Sequence, residues 1–85
     1  MKWDLAITSP ARRELKKISR DDLHQINSTF DELRENPYSG DIKFLRGVDG
    51  ALRRRAGVWR IIFELDQDQH TVVILEVKRR GSNTY

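Results

Sequence analysis

The apolar residues of this chain repeat with one period in its first half and another in its second. Ala11, Leu15 and Ile18 fall at i, i+4, i+7, and Leu23, Ile26, Phe30 and Leu33 at i, i+3, i+7, i+10. Both patterns are the stripe of an amphipathic helix. Beyond Gly57 the spacing drops to two: Trp59, Ile61, Phe63 and Leu65 share one face of a strand. Residues 71–77 are nearly all apolar, as in a strand that lies centrally or is covered on both sides. Residues 2–8 alternate as well, with Trp3, Leu5 and Ile7 opposite Lys2, Asp4 and Thr8. A helical period cannot serve as a strand, nor the reverse. Helices and strands are therefore segregated along the chain, which makes it α+β.

Polar and turn-forming residues divide these stretches. Ser9 reads as an N-cap with Pro10 at the first helical position, where a missing N–H costs nothing. Ser19 reads as a second cap, with Asp22 three residues on in the place of a capping-box acid. Pro37 disfavours helical geometry in Asn36, so the second helix is expected to stop there. Residues 37–50 are rich in Gly, Asp, Ser and Pro and read mostly as loop, with a short apolar patch at Phe44 and Leu45. Strands are expected at 52–56, 58–66 and 71–77, with Gly57 in a tight turn and a polar connection at 66–70. Residues 81–84 read as a mobile tail. The expected order is β-α-α-β-β-β: a two-helix hairpin on one face of a small antiparallel sheet, in one domain spanning 1–85.

Composition narrows the function. The chain has 85 residues and no cysteine, so neither disulfides nor thiolate metal sites support the fold. Its two histidines, His24 and His70, lack ligand spacing; no metal and no cofactor are expected. No apolar run approaches the ~20 residues of a membrane span, and no signal-peptide core is present. The expectation is a cytoplasmic, soluble protein with no membrane partner. A pI near 9.6 points to an acidic partner, nucleic acid or protein.

The positive charge is concentrated. Residues 43–60 hold Lys43, Arg46, Arg53, Arg54, Arg55 and Arg60 against one acid, Asp49. Residues 77–85 add Lys78, Arg79 and Arg80 with no acid and end on Tyr85. Elsewhere 12 Asp and Glu outnumber 7 Lys and Arg. Arg53 and Arg55 lie two apart, so a strand points both to one face and Arg54 to the other. Arg60 sits early in the next strand, across the expected hairpin. Such a cluster grips phosphate oxygens and stabilises charge on a pentacovalent phosphate. The alternative is an exposed strand face with solvated arginines. Tyr85 is either a base-stacking residue or an ordinary chain end. His24 and His70 read as surface histidines, and Glu64 and Glu76 as salt-bridge partners of neighbouring arginines.

The stretch Leu45-Arg46-Gly47, then residues 52–63 (LRRRAGVWRIIF), then Val77-Lys78-Arg79-Arg80 and Tyr85, resembles the RelE/ParE superfamily of bacterial toxins. Length and element order agree with that resemblance over the whole chain. It implies the RelE-like microbial RNase fold and one of two activities. RelE-like members are ribosome-dependent endoribonucleases that cut mRNA in the A site, and ParE-like members inhibit DNA gyrase without nuclease activity. Carried over by position, Arg53, Arg60, Arg79 and Tyr85 match catalytic residues, and Arg55 a phosphate-site arginine; Lys43, Arg46, Lys78 and Arg80 are the expected further RNA contacts. Ala51 departs from the pattern, because the best-known members carry a lysine there; so does the lack of a C-terminal helix. The retained basic set favours the RelE-like activity. It implies a metal-free attack of a ribose 2′-OH on the adjacent phosphate, with partners in mRNA, the ribosome and a cognate antitoxin. The toxin alone is expected to be a monomer that forms a heteromeric complex with the antitoxin. A plain nucleic-acid-binding module would need base-reading residues on a recognition helix, and neither helix shows them.

Overall fold

A computed structural model describes residues 2–40, 42–44 and 50–79. The elements are β1 (Asp4–Ile7), α1 (Ser9–Leu15), α2 (Arg20–Glu35), β2 (Ile42–Phe44), β3 (Ala51–Ala56), β4 (Trp59–Asp66) and β5 (Thr71–Arg79). They form a five-stranded sheet in the order β1-β5-β4-β3-β2 with the helices packed against it. The α+β class, the paired helices and the central place of β5 are as expected.

Three features differ from expectation. The first is β2, which pairs antiparallel with β3, Lys43 opposite Arg53 and Phe44 opposite Leu52. Three residues carry no readable period; only the pairing makes them a strand. The second is β1, which runs parallel to β5, with Leu5 opposite Val72 and Ile7 opposite Ile74. The sheet is thus mixed, and the chain between β1 and the remaining strands supplies the crossover that a parallel pair requires. The third is the length of β5, which runs on through Lys78 and Arg79.

The helix caps show why the chain turns where it does. Thr8, not Ser9, caps α1: its hydroxyl accepts from the Ala11 N–H at 3.4 Å and donates to the Leu75 carbonyl at 3.1 Å. One side chain thus starts the helix and ties it to β5, which Ser9 could not reach. Ser19 caps α2, accepting from the Asp22 N–H at 3.3 Å, and Asp21 and Asp22 favour that positive helix end. At the other end Asn36 is extended, as Pro37 requires.

The core lies between the helices and one sheet face. Ala11, Ile26, Phe30 and Leu33 meet Leu52, Ala56, Trp59, Ile61, Phe63, Val72, Ile74 and Val77. The step from Ile74 to Val77 is three residues, not two. A bulge accounts for it: Ile62 faces Glu76 and Phe63 faces Ile74, leaving Leu75 as the extra residue of β5. Its phase change places Glu76 and Lys78 on the face away from the helices.

Candidate nucleic-acid interface

On β3, Leu52, Arg54 and Ala56 point to the helices, and Arg53 and Arg55 point away. Strand register then assembles two rows on the outer face. Arg55, Arg60 and Lys78 are aligned across β3, β4 and β5. Lys43, Arg53, Ile62 and Glu76 form the next row, across β2 to β5. Side chains directly opposite have Cβ atoms about 4.5–5.5 Å apart. Five cations from four strands therefore meet at one end of the sheet.

These groups differ in exposure. Arg55, Lys78 and Lys43 are exposed, Arg60 is half-buried and Arg53 is only 5% exposed. The Nε of Arg60 is buried with no hydrogen-bond partner. Lys78 pairs with Glu76 at 3.0 Å, on a surface open to solvent. Glu76 therefore pairs with a lysine, where an arginine was expected. Glu64 lies beyond Ile62 on the same outer face, opposite Ala51 and Val73, and Asp66 and Asp4 flank Thr71. The outer face is thus basic at one end and acidic at the other.

Arg79 is the last residue of β5 and lies opposite Trp59, a core residue. The bulge makes Lys78, not Val77, the cross-strand neighbour of Arg60. Arg79 is exposed at the end of the sheet. Arg46, Arg80 and Tyr85 lie outside the described residues.

Arg54 has a different environment. It is 8% exposed and its guanidinium donates to Glu32 Oε1 on α2, to the Ser39 carbonyl at 3.2 Å and to the Arg55 carbonyl at 3.2 Å. It joins α2, the turn before β2 and β3. Gly40 has φ +81°, and a Cβ there would lie 2.5 Å from the Arg54 guanidinium carbon. Sequence parity put Arg54 on the opposite face; its role as a clamp carried no sequence signal, because Glu32 and Ser39 are remote in the chain.

The histidines stand apart from the cations. His24 is exposed on α2. His70 has φ 51°, is half-buried and stacks on Trp3 with ring centroids 4.1 Å apart and planes at 19°, so it is more than a surface group. It precedes Thr71, at the far end of β5 from Lys78. Among the described residues no group of three or more His, Asp or Glu side chains is placed to hold a metal ion. Among the described residues no helix is long and apolar enough to cross a membrane.

The chain matches known proteins over most of its length. Residues 5–84 match the family described as the ParE toxin of type II toxin–antitoxin systems, parDE. The chain belongs to that family. Toxin RelG of Mycobacterium tuberculosis is 30% identical over 82 residues, covering 95% of this chain and 94% of that protein. The toxin–antitoxin complex RelBE2 of the same organism contains a chain that superposes with a TM-score of 0.85 at 30% identity, over 94% of this chain and all of that one. The isolated RelE toxin of E. coli shares the fold, with a TM-score of 0.81 at 17% identity over 95% of this chain and 87% of that one.

Proposed function

We propose that this toxin is an endoribonuclease that cleaves mRNA bound to the ribosome, and that a cognate antitoxin neutralises it. The observation that carries the reading is the pair of cationic rows on the outer face, with Arg60 directly opposite Arg55 and flanked by Lys78. Like charges directly opposite one another repel. A phosphodiester between them relieves that repulsion and accepts their hydrogen bonds. Guanidinium groups on strands are held in position, so they oppose charge where it develops and need little reorganisation.

In this mechanism a ribose 2′-OH passes its proton to a base, for which Tyr85, Arg53 and ribosomal groups are the candidates, and attacks the adjacent phosphorus. Arg53, Arg55 and Arg60 stabilise the phosphorane. The 5′-oxygen leaves with a proton supplied by the protonated base, giving a 2′,3′-cyclic phosphate and a 5′-OH. Lys43 and Lys78 hold the neighbouring phosphates, with Arg46 and Arg80 as further contacts. Arg79 supports the leaving group from the end of β5, and Tyr85 stacks on a base. Neither histidine lies near the cationic rows, and the ribosome supplies substrate alignment. The antitoxin partner is supported by the toxin–antitoxin complex among the similar structures.

Gyrase inhibition is the second reading, and the RelE-type names of similar proteins do not favour it. It does not call for cations arrayed across four strands. Primer extension on mRNA with purified protein and programmed ribosomes, run beside a gyrase supercoiling assay, separates the two. Cuts that need ribosomes, with supercoiling unaffected, are the expected result. Inhibited supercoiling without cuts overturns the reading.

A further inference from the structure

Gly57 and Val58 alone make the turn between β3 and β4, because Ala56 pairs with Trp59 and Arg55 with Arg60. Gly57 has φ +61°, a left-handed conformation of the kind tight hairpin turns use and glycine adopts at no steric cost. The last two strand pairs divide between the faces of the sheet. Ala56 and Trp59 enter the core, and Arg55 and Arg60 stand in the cationic row nearest the turn. A tilt of the hairpin tip therefore moves both guanidinium groups together.

Both turn residues are exposed, and such tips open more readily than the strands behind them. Here α2 meets the tip. A Cβ at Gly57 would lie 2.8 Å from Gln25 Oε1 and 2.9 Å from Gln25 Cδ, closer than side chains approach. The Gln25 amide thus rests against the Gly57 backbone, and glycine is the residue that leaves it room. Gln25 has a firm base on the helix. Its neighbour Ile26 is fully buried, and its own carbonyl accepts from the Thr29 hydroxyl at 3.0 Å.

We infer that Gln25 is a positioning residue for Arg55 and Arg60: seated on Gly57, its side chain fixes the hairpin tip and with it the guanidinium pair. The inference rests on the nuclease reading. It adds a residue on the helix side of the sheet that touches neither phosphate nor ribose and acts through the turn. Displacing a reacting group by about 1 Å costs up to about 10²-fold in rate. Gln25 carries no charge, so its removal leaves the electrostatic attraction to RNA as it is.

The first test is single-turnover cleavage on programmed ribosomes. Gln25→Ala should lower the rate about 10-fold, with an unchanged circular dichroism spectrum. The half-saturating ribosome concentration should change by less than about twofold, since the cations remain. His24→Ala, beside it on α2, should cleave at the wild-type rate. Gln25→Met keeps the length of the side chain without its hydrogen-bonding groups and should retain most of the rate. A Met variant as slow as the Ala variant overturns the seat on Gly57, because the amide would then act by itself. Gly57→Ala drives a Cβ into the same amide and should also cleave slowly. Adding Gln25→Ala to it should cost less than about threefold more, whereas a further loss of about 10-fold, as for independent sites, overturns the coupling.

The second test uses the free protein and no RNA. Backbone NMR order parameters of residues 55–60 should fall from about 0.85 toward about 0.6 in Gln25→Ala and stay high in His24→Ala. Unchanged order parameters, or wild-type cleavage by Gln25→Ala, overturn the positioning role and leave the nuclease reading standing. A wild type that makes no ribosome-dependent cuts overturns that reading and, with it, the catalytic purpose of the contact.

Discussion

On β3, Arg54 is turned toward the helices, and Arg53 and Arg55 away from them. All three carry the same group on the same strand. Arg54 is enclosed by Glu32, the Ser39 carbonyl and the Arg55 carbonyl, and Gly40 leaves it room. Arg55 instead faces Arg60, a like charge. The clamp side holds its guanidinium between a carboxylate and two carbonyls, whereas the outer side sets cations from neighbouring strands side by side. The same chemistry therefore stabilises the fold on one face and prepares a ligand site on the other.

The sharpest break in that comparison is expected at Arg60. Arg60→Ala removes a charge partner of the transition state and should slow single-turnover cleavage about 10²- to 10³-fold, with an unchanged circular dichroism spectrum. A wild-type rate from the folded variant would remove Arg60 from the mechanism.

Arg54→Ala should act on the other quantity. It leaves Glu32 without its partner, but the Glu32 side chain is 57% exposed and is rehydrated, so the cost falls below that of breaking a buried pair. The loss of three hydrogen bonds and of packing should cost about 2–3 kcal/mol. In a domain of this size that lowers Tm by about 10–20 °C. A thermal melt that coincides with wild type would show that the clamp contributes nothing.

Gly40→Ala sharpens the same point at smaller scale. A Cβ at positive φ costs about 1–2 kcal/mol, and here it also meets the Arg54 guanidinium. Combined with Arg54→Ala, the cost should be less than additive, because the clash disappears with the side chain. Strict additivity in urea denaturation would mean that backbone strain alone sets it.

The smallest effect is expected for the stability of Arg55→Ala. A substitution at this exposed position should stay within about 0.5 kcal/mol of wild type. A loss comparable to that of Arg54→Ala would erase the difference between the two faces.

Periodicity and local punctuation identified both helices, the Ser19 cap, the stop at Asn36 and four of the five strands, because burial on one face imposes a repeat and caps and prolines mark where it ends. Parity along β3 also separated Arg53 and Arg55 from Arg54, and the turn at Gly57 set Arg60 across from them. Thr8 as the α1 cap was misread, since its advantage over Ser9 is a bond to Leu75, 67 residues away. The strand at Ile42–Phe44 and the parallel pairing of β1 were not legible. Pairing is a choice between distant segments, and short runs carry no preference for a partner.

Which cations stand together was decided between these levels. Local spacing determined that Arg53 and Arg55 share a face, for strand geometry follows from backbone sterics at each residue. Tertiary structure alone decided that Lys78 and not Val77 joins Arg60. The bulge at Leu75 shifts the phase of β5 by one residue, and a one-residue shift exchanges the faces of every side chain beyond it.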